Sequence, residues 1–460
     1  MTLVMTAPAK PTRPGGDAPP EPRIFYDFSR FIDYLFSQGP TGIARVDLAY
    51  ADFLARHPHY FAAGRHYRLN IKTRFSHRTL RRRVQLVRSH WDRGERYSLG
   101  TKLAAWLAGT DASIRRIQIA QDHKRSFARS VGILSINWPY HNILTAVPKG
   151  AIYLNVSYAN MKHPGYVDWL KNRPDIFPVF MLHDLIPLER PDFFWDQHEY
   201  EFKKVIEQIL SHAAMIILPS NHVKDMLEQV AASLQMPLPL IEVVPIPPAP
   251  EFLELAEHVA CKRNEHPYFV ICGTIEPRKN HKFLFQIWKD MLAAGVQPPK
   301  LLVIGGRGWK NDDVVSDLET YPAFAGHVLE VTNLSTRDLR DILANANGLL
   351  MPSSAEGYGL PVVEALAIGS PVIASDIPVF REITKGKAQL IALADQDAWM
   401  TAILDLAQNE ETLATWRLKA RSFIPMTWDQ YFSDVTLAMR RMLDPARVDI
   451  AGWKGDLSNE

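Results

Sequence analysis

Two glutamates eight residues apart, Glu356 and Glu364, bracket a short glycine turn within Ser353–Ser375, SSAEGYGLPVVEALAIGSPVIAS. Two acids at that spacing, taken alone, are ordinary solvated side chains, so their setting decides the reading. Gly348–Met351 has the short apolar character of a buried strand. Gly357 and Gly359 allow a sharp bend and a close approach of backbone to a ligand. Leu360–Pro361 then opens a helix, with proline tolerated in its first turn. Free N–H groups and the positive dipole end make such a terminus suited to a diphosphate. Glu364 lies one turn into the helix, where its carboxylate can accept hydrogen bonds from a ribose. Glu356 faces whatever is joined to the other end of the diphosphate.

A second loop carries the complementary charge. In Gly273-Thr274-Ile275-Glu276-Pro277-Arg278-Lys279-Asn280 a strand ends in a turn bearing adjacent cations before the next helix. Carboxyl ends of parallel strands share one edge, so Arg278 and Lys279 can approach the same diphosphate as Gly359. Two cations there stabilise a leaving diphosphate. Gly305-Gly306-Arg307-Gly308 follows the next strand and is a candidate lining for a nucleotide base. It is not the spaced glycine pattern of a dinucleotide site.

The elements that must position these groups alternate along the chain. The first half predicts strands at Arg23–Phe28, Ile117–Ala120, Ile133–Ile136, Ala151–Val156, Phe177–Leu182 and Met215–Leu218, with helices at Ile43–Leu54, Gln197–His212 and His222–Ser233. Pro245, Pro247, Pro248 and Pro250 stop both strand and helix and mark a boundary. Beyond it, strands are expected at Tyr268–Cys272, Leu301–Ile304, Val328–Val331, Gly348–Met351 and Pro371–Ala374. Helices are expected between them, with a last one at Asp429–Leu443. Two Rossmann-like halves follow, with a ligand at the strand carboxyl ends between them. The expected divisions are a disordered tail 1–22, a first domain 23–247, a second domain 266–425 and a C-terminal helix 426–445 returning to the first. Asp395, just before a helix, reads as an N-cap rather than a metal ligand.

The 460 residues carry a net charge of only +2. Seventeen Lys or Arg against four acids between Arg65 and Arg129 make that stretch +13 and the remainder −11. Within it Leu80, Val84, Val87 and Trp91 form one apolar helical stripe, with Arg78, Arg81, Arg82, Arg83 and Arg88 on the other faces. The segment Arg78–Arg96 fits an anionic membrane surface or a phosphate-linked lipid. It equally fits an amphipathic helix packed on the sheet with a solvated basic face; nucleic acid is not expected. Two cysteines, Cys261 and Cys272, and the absence of zinc spacing fit a reducing compartment, with no metal expected. No apolar run is long enough for a membrane span or an export signal, so a cytoplasmic location is expected, peripheral at the inner membrane face if the basic helix docks there.

EGYGLPVVEALAIGSPVIAS, GTIEPRKN, HDLIPLERPDFF (His183–Phe194), GPTGIARV (Gly39–Val46) and the Trp428 helix together resemble the family 4 (group 1) retaining glycosyltransferases over about residues 24–445. The resemblance implies a GT-B fold, two Rossmann-like domains facing each other across a cleft. It implies hexose transfer from a nucleotide diphosphate sugar to a glycan or polyprenyl-linked acceptor, without a metal and with the anomeric configuration kept, in bacterial exopolysaccharide or lipopolysaccharide assembly. By the same resemblance His183, Glu356, Arg278 and Lys279 are catalytic. The donor site comprises Gly42, Gly273, Thr274, Arg278, Lys279, Gly357, Tyr358, Gly359, Leu360 and Glu364, with Arg45 near the donor phosphates. A nucleotide-sugar epimerase using the same diphosphate cradle, or a non-catalytic GT-B subunit, are the alternatives.

Overall fold

The computed structural model describes residues 22–30, 42–57, 61–66, 71–75, 77–91, 96–119, 147–163, 165–254 and 266–444. Among them the strands build two seven-stranded sheets. The first contains β1 (Ile24–Asp27), β2 (Phe61–His66), β3 (Ile71–Phe75), β5 (Ile152–Asn155), β6 (Phe177–Met181), β7 (Met215–Leu218) and β8 (Leu240–Val243), in the order β3-β2-β1-β5-β6-β7-β8. The second joins β4 (Arg116–Gln118), β9 (Tyr268–Cys272), β10 (Lys300–Ile304), β11 (Val328–Thr332), β12 (Gly348–Met351), β13 (Val372–Ser375) and β14 (Gln389–Ile391), in the order β14-β13-β12-β9-β10-β11-β4. Among the described residues only the β2–β3 pair is antiparallel. β5, β6, β7, β11, β12 and β13 are buried along their whole length, as expected of parallel strands covered on both faces.

The strand expected at Ile117–Ala120 is present as β4 but does not pair in the first sheet. Its Arg116, Ile117 and Gln118 register against Glu330, Val331 and Thr332 at the edge of the second. Charge explains part of the placement: Glu330 is fully buried and meets Arg116 at 3.4 Å, and Arg115 donates to the Tyr321 carbonyl. The preceding helix, Arg96–Leu107, is anchored the same way, because Lys300 donates to the Trp106 carbonyl at 2.7 Å and lies 4.3 Å over its ring. The chain therefore lends a helix and a strand to the second sheet before completing the first. The expected strand at Ile133–Ile136, the tail through Pro20, Gly39 to Thr41 and Cys261 lie outside the described residues.

The basic helix spans His77–Trp91, with Leu80, Val84 and Val87 buried in the core of the first domain. Arg78, Arg81 and Arg82 are exposed. Arg83 is buried, and desolvation lowers its pKa to about 10. Leu80, Val84 and Val87 thus pack on the protein, and Arg78, Arg81 and Arg82 remain outside; the Trp91 side chain lies outside the described residues. The last helix, Trp428–Met442, starts with a capping box between Thr427 and Gln430. It crosses back to the first domain, stacking Phe432 on Phe53 with ring centroids 4.1 Å apart and pairing the hydroxyls of Tyr431 and Tyr50 at 2.8 Å. Asp395 accepts from the Ala398 N–H, as an N-cap should. No helix among the described residues is long and apolar enough to cross a membrane.

Candidate active site

In the second sheet β9 and β12 are neighbours, with β10 and β13 on their far sides. Strand order reverses there, so the two following loops diverge and leave a crevice at the carboxyl ends. Both loops singled out by the sequence meet in it. After β12 the chain turns at Gly359, whose φ of 102° favours glycine; a Cβ there would stand 2.6 Å from a Phe380 ring carbon. The helix Leu360–Ala367 begins at once, with Pro361 in its first turn.

The loop after β9 supplies a compact charge cluster. Arg278 Nη1 lies 2.7 Å from Glu356 Oε2, and Lys279 Nζ lies 2.5 Å from Glu356 Oε1. Ser353 donates to Glu356 Oε1 at 2.8 Å, and Arg278 Nε meets Glu276 at 2.6 Å. Glu356 is only 5% exposed. Burial alone would raise its pKa, but the two cations and the hydrogen bonds from Lys279 and Ser353 outweigh burial and hold it at about 2. The carboxylate is therefore ionised at any physiological pH, and it organises both cations. Lys279 in turn runs alongside Gly273, where a Cβ would stand 3.2 Å from the Lys279 Cε. A diphosphate arriving at the helix terminus would find two cations already held within reach by one carboxylate.

The first domain closes the crevice. A Cβ on Gly357 would stand 2.2 Å from the His183 carbonyl oxygen and 2.5 Å from the Asp184 Cβ. Ser220, the N-cap of the helix Asn221–Leu234, donates to the Gly357 carbonyl at 2.9 Å. His183 is buried, and its Nε2 lies 2.8 Å from the Val156 carbonyl, which makes Nε2 the protonated nitrogen and leaves Nδ1 an acceptor. Desolvation lowers its pKa to about 4. Burial raises the pKa of Asp184, against the pull of Arg278.

Glu364 is also buried, and Arg45 from the helix Gly42–Arg56 reaches across to it at 2.6 Å. Burial raises the Glu364 pKa, and Arg45 offsets that. Beside this pair Gly42 sits against Leu360, a Cβ there lying 3.4 Å from Leu360 Cδ1. Arg45, Leu360 and Glu364 border a cavity of about 1230 Å³ that extends past Thr336 and Glu251 towards Trp428. That volume accommodates a nucleoside with room to spare.

The structure thus brings Arg278, Lys279, Glu356 and Gly357 together, with His183 against them from the other domain. Gly42, Leu360 and Glu364 gather at the first turns of the helix that follows. Thr274 is exposed, its methyl facing Gly308, and the Tyr358 side chain is buried with its hydroxyl bonded to the Ile246 backbone. Tyr358 therefore braces the linker. The Gly305–Gly308 loop packs on Gly273–Ile275, and Arg307 is committed to Glu330 and Glu319, so it offers no free group to a base. Sequence reasoning missed Ser353, Glu276 and Asp184. All three adjoin residues it chose, and the only signal was that adjacency. Among the described residues no group of three or more His, Cys, Asp or Glu is placed to hold a metal ion.

Comparison with known proteins relates the chain to glycosyltransferases. Residues 257–423 match the family of glycosyl transferases group 1. Over 224 residues the chain is 29% identical to the serotype-specific mannosyltransferase WbdA of Escherichia coli, which covers 46% of this chain and 27% of that protein. It is 26% identical over 239 residues to the O-antigen chain mannosyltransferase RfbU of Salmonella typhimurium, covering 51% and 62%. The chain thus spans less than two thirds of either relative. Among solved structures, HepE of Anabaena in complex with UDP superimposes with a TM-score of 0.53 over 91% of this chain and 98% of that one, at 14% identity. The N-terminal domain of trehalose-6-phosphate phosphatase from Candida albicans gives 0.54 over 95% and 99%, at 12% identity. The fold is GT-B, and the segment that carries Arg278, Lys279, Glu356 and Glu364 is similar to the glycosyl transferases group 1.

Proposed function

We propose that this chain transfers a hexosyl residue from a nucleoside diphosphate sugar to a glycan or lipid-linked glycan acceptor, as a step in building a bacterial polysaccharide. Mannose is the sugar favoured, because it is the one in the names of WbdA and RfbU. The observation that carries the reading is the convergence of Arg278 and Lys279 on Glu356 at the start of the helix Leu360–Ala367.

In this reading the nucleoside enters the large cavity and its ribose hydroxyls take the place of Arg45 on Glu364. The diphosphate lies on the free N–H groups of Gly359 and Leu360. Arg278 and Lys279 turn from Glu356 to the phosphate oxygens, and Glu356 is released to accept hydrogen bonds from the hexose. His183 accepts one more through Nδ1. The bond between the anomeric carbon and the diphosphate oxygen breaks as the acceptor oxygen bonds the same carbon from the same face, and the acceptor proton passes to the departing diphosphate. Configuration is retained, and the leaving charge is met by the two side chains rather than a metal ion.

The exposed Arg78, Arg81 and Arg82 supply a basic face by which the enzyme would rest on an anionic membrane beside a lipid-linked acceptor. A thermal-shift panel of GDP, UDP, ADP and dTDP sugars tests the donor reading. One base series should raise the melting temperature, since a ligand at a hundred times its Kd stabilises by about 2.7 kcal/mol. No shift with any of the four would remove the donor site.

A further inference from the structure

A second cavity, of about 270 Å³, adjoins the charge cluster through Arg278 and shares no lining residue with the cavity at Glu364. Its lining includes Arg278, Glu276, Asp184, Tyr158, Trp309 and Glu201. It shares Arg278 with the Glu356 cluster, while the larger cavity shares Leu360 and Glu364 with the helix after the glycine turn. In the glycosyl-transfer reading the larger cavity takes the nucleoside end of the donor, and the smaller one adjoins the Arg278 end, where the hexose and the acceptor meet.

The lining indicates its chemistry. The indole N–H of Trp309 is fixed on the Phe193 carbonyl at 2.8 Å, across the two domains, and its ring lies 5.7 Å from that of Phe194. Phe194 stacks on His198 at 4.9 Å. Rings held this rigidly offer flat apolar faces at little entropic cost. Three carboxylates, Asp184, Glu201 and Glu276, face the same space, against Lys162 and Arg278. Carboxylates accept from neighbouring hydroxyls and repel phosphate, so the balance favours a neutral polyol. The volume lies just under the roughly 300–1,000 Å³ usual for drug-sized ligands, which is the scale of a single sugar ring.

We infer that this cavity is the acceptor subsite and that it takes an uncharged terminal pyranose, held between the Trp309–Phe194 rings and the carboxylates of Asp184, Glu201 and Glu276. The inference rests on the glycosyl-transfer reading above. It separates two tasks: an uncharged sugar ring is recognised in the cleft, while any phosphate the acceptor carries lies outside this cavity.

Saturation-transfer NMR on the full chain, with the best nucleoside diphosphate from the thermal-shift panel present, is the test. Methyl α-D-mannopyranoside and methyl α-D-glucopyranoside are the uncharged probes and mannose 6-phosphate the charged one. At least one methyl pyranoside should bind, mannose 6-phosphate more weakly, and Glu201→Gln, an exposed substitution that spares the fold, should weaken the pyranoside roughly tenfold. Affinity for the nucleoside diphosphate should stay unchanged in Glu201→Gln. The inference is overturned if neither pyranoside binds, if Glu201→Gln leaves binding intact, or if the phosphate binds as well as the neutral sugar. Failure of the donor reading would look different: no nucleoside diphosphate would shift the melting temperature of the wild-type chain.

Discussion

Gly357 and His183, 174 positions apart in the chain, touch so closely that a single methyl group on Gly357 would stand 2.2 Å from the His183 carbonyl oxygen. The glycine turn of the second domain is thereby seated on the segment that follows β6 in the first. The glycine serves the interface as much as the turn. Gly357→Ala should leave both domains folded, with unchanged far-ultraviolet circular dichroism, yet force the crevice open. Overpacking of this kind costs about 1–3 kcal/mol, read as a lower midpoint in denaturant, and transfer should fall much further than stability does. Full activity in this variant would show that the contact is not needed for turnover.

Glu356 should behave as a holder of cations as well as a contact for the sugar. Glu356→Gln leaves Arg278 and Lys279 without their shared carboxylate, and breaking a buried pair in this way costs about 3–5 kcal/mol. The same change removes a competitor for those cations, so nucleoside diphosphate affinity should hold or rise while transfer is lost. Calorimetric titration beside an activity assay separates the two effects. Loss of nucleotide binding would contradict the assignment.

Arg45 and Glu364 join the domains through a buried ion pair. Arg45→Met should destabilise the chain by exposing Glu364 to an uncompensated burial cost, while the double change with Glu364→Gln should recover part of the loss. The coupling expected from a double-mutant cycle is about 0.5–3 kcal/mol. Additive effects would mean that the pair does not tie the domains together.

Stability should fall with acidity in two stages. His183 and His281 are buried neutral, with pKa values lowered by burial from 6.5 to about 4 and about 3. The unfolded chain takes up those protons below pH 6.5 and the folded one does not, so protonation favours unfolding. Stability is complete above pH 6.5 and declines towards pH 4, by up to about 1.4 kcal/mol per pH unit for each ring. Glu356 adds a second loss between its ordinary 4.5 and about 2. His281, with both ring nitrogens buried and without a hydrogen-bond partner, is the ring to remove. Melting curves of His281→Leu should be flatter between pH 6.5 and 4 than wild type, and an unchanged slope would count against it.

Much of the second domain is legible in the sequence because it is locally encoded. Short apolar strands alternate with periodic helices from Tyr268 onward, and the glycine turn between β12 and its helix announces a phosphate terminus. The first domain reads less completely. β2, β3 and β8 are short runs beside charged or proline-rich sequence, with too weak an alternation to stand out. β4 is recognisable as a strand, but no local pattern tells it to pair with β11 some two hundred residues later; that choice is made by Glu330, Arg115 and Lys300. The same limit applies at the site. Glu356, Arg278 and Lys279 stand out by type and spacing, whereas the grip of one carboxylate on both cations, the Arg45–Glu364 bridge and the Trp309–Phe193 hydrogen bond depend on distant pairings that spacing does not encode.

The basic face of the His77–Trp91 helix invites its own assay. Because Leu80, Val84 and Val87 are buried, charge is what this face offers a membrane, so vesicles containing anionic lipid should retain the protein at low salt and release it as salt is raised. Replacing Arg78, Arg81 and Arg82 together by Gln should abolish retention without changing the melting temperature. Equal binding to neutral vesicles would rule out this mode of docking.

If Arg278 and Lys279 hold the donor diphosphate, removing one of them must show in nucleotide affinity before anything else. Calorimetric titration of the nucleoside diphosphate into wild type and Lys279→Ala reads that affinity without an acceptor or a complete reaction. Losing one charge-assisted contact of about 1.5–3 kcal/mol should weaken binding roughly tenfold to a hundredfold. Equal affinity in the two proteins would mean that Lys279 does not touch the diphosphate, and the donor site would have to be placed elsewhere.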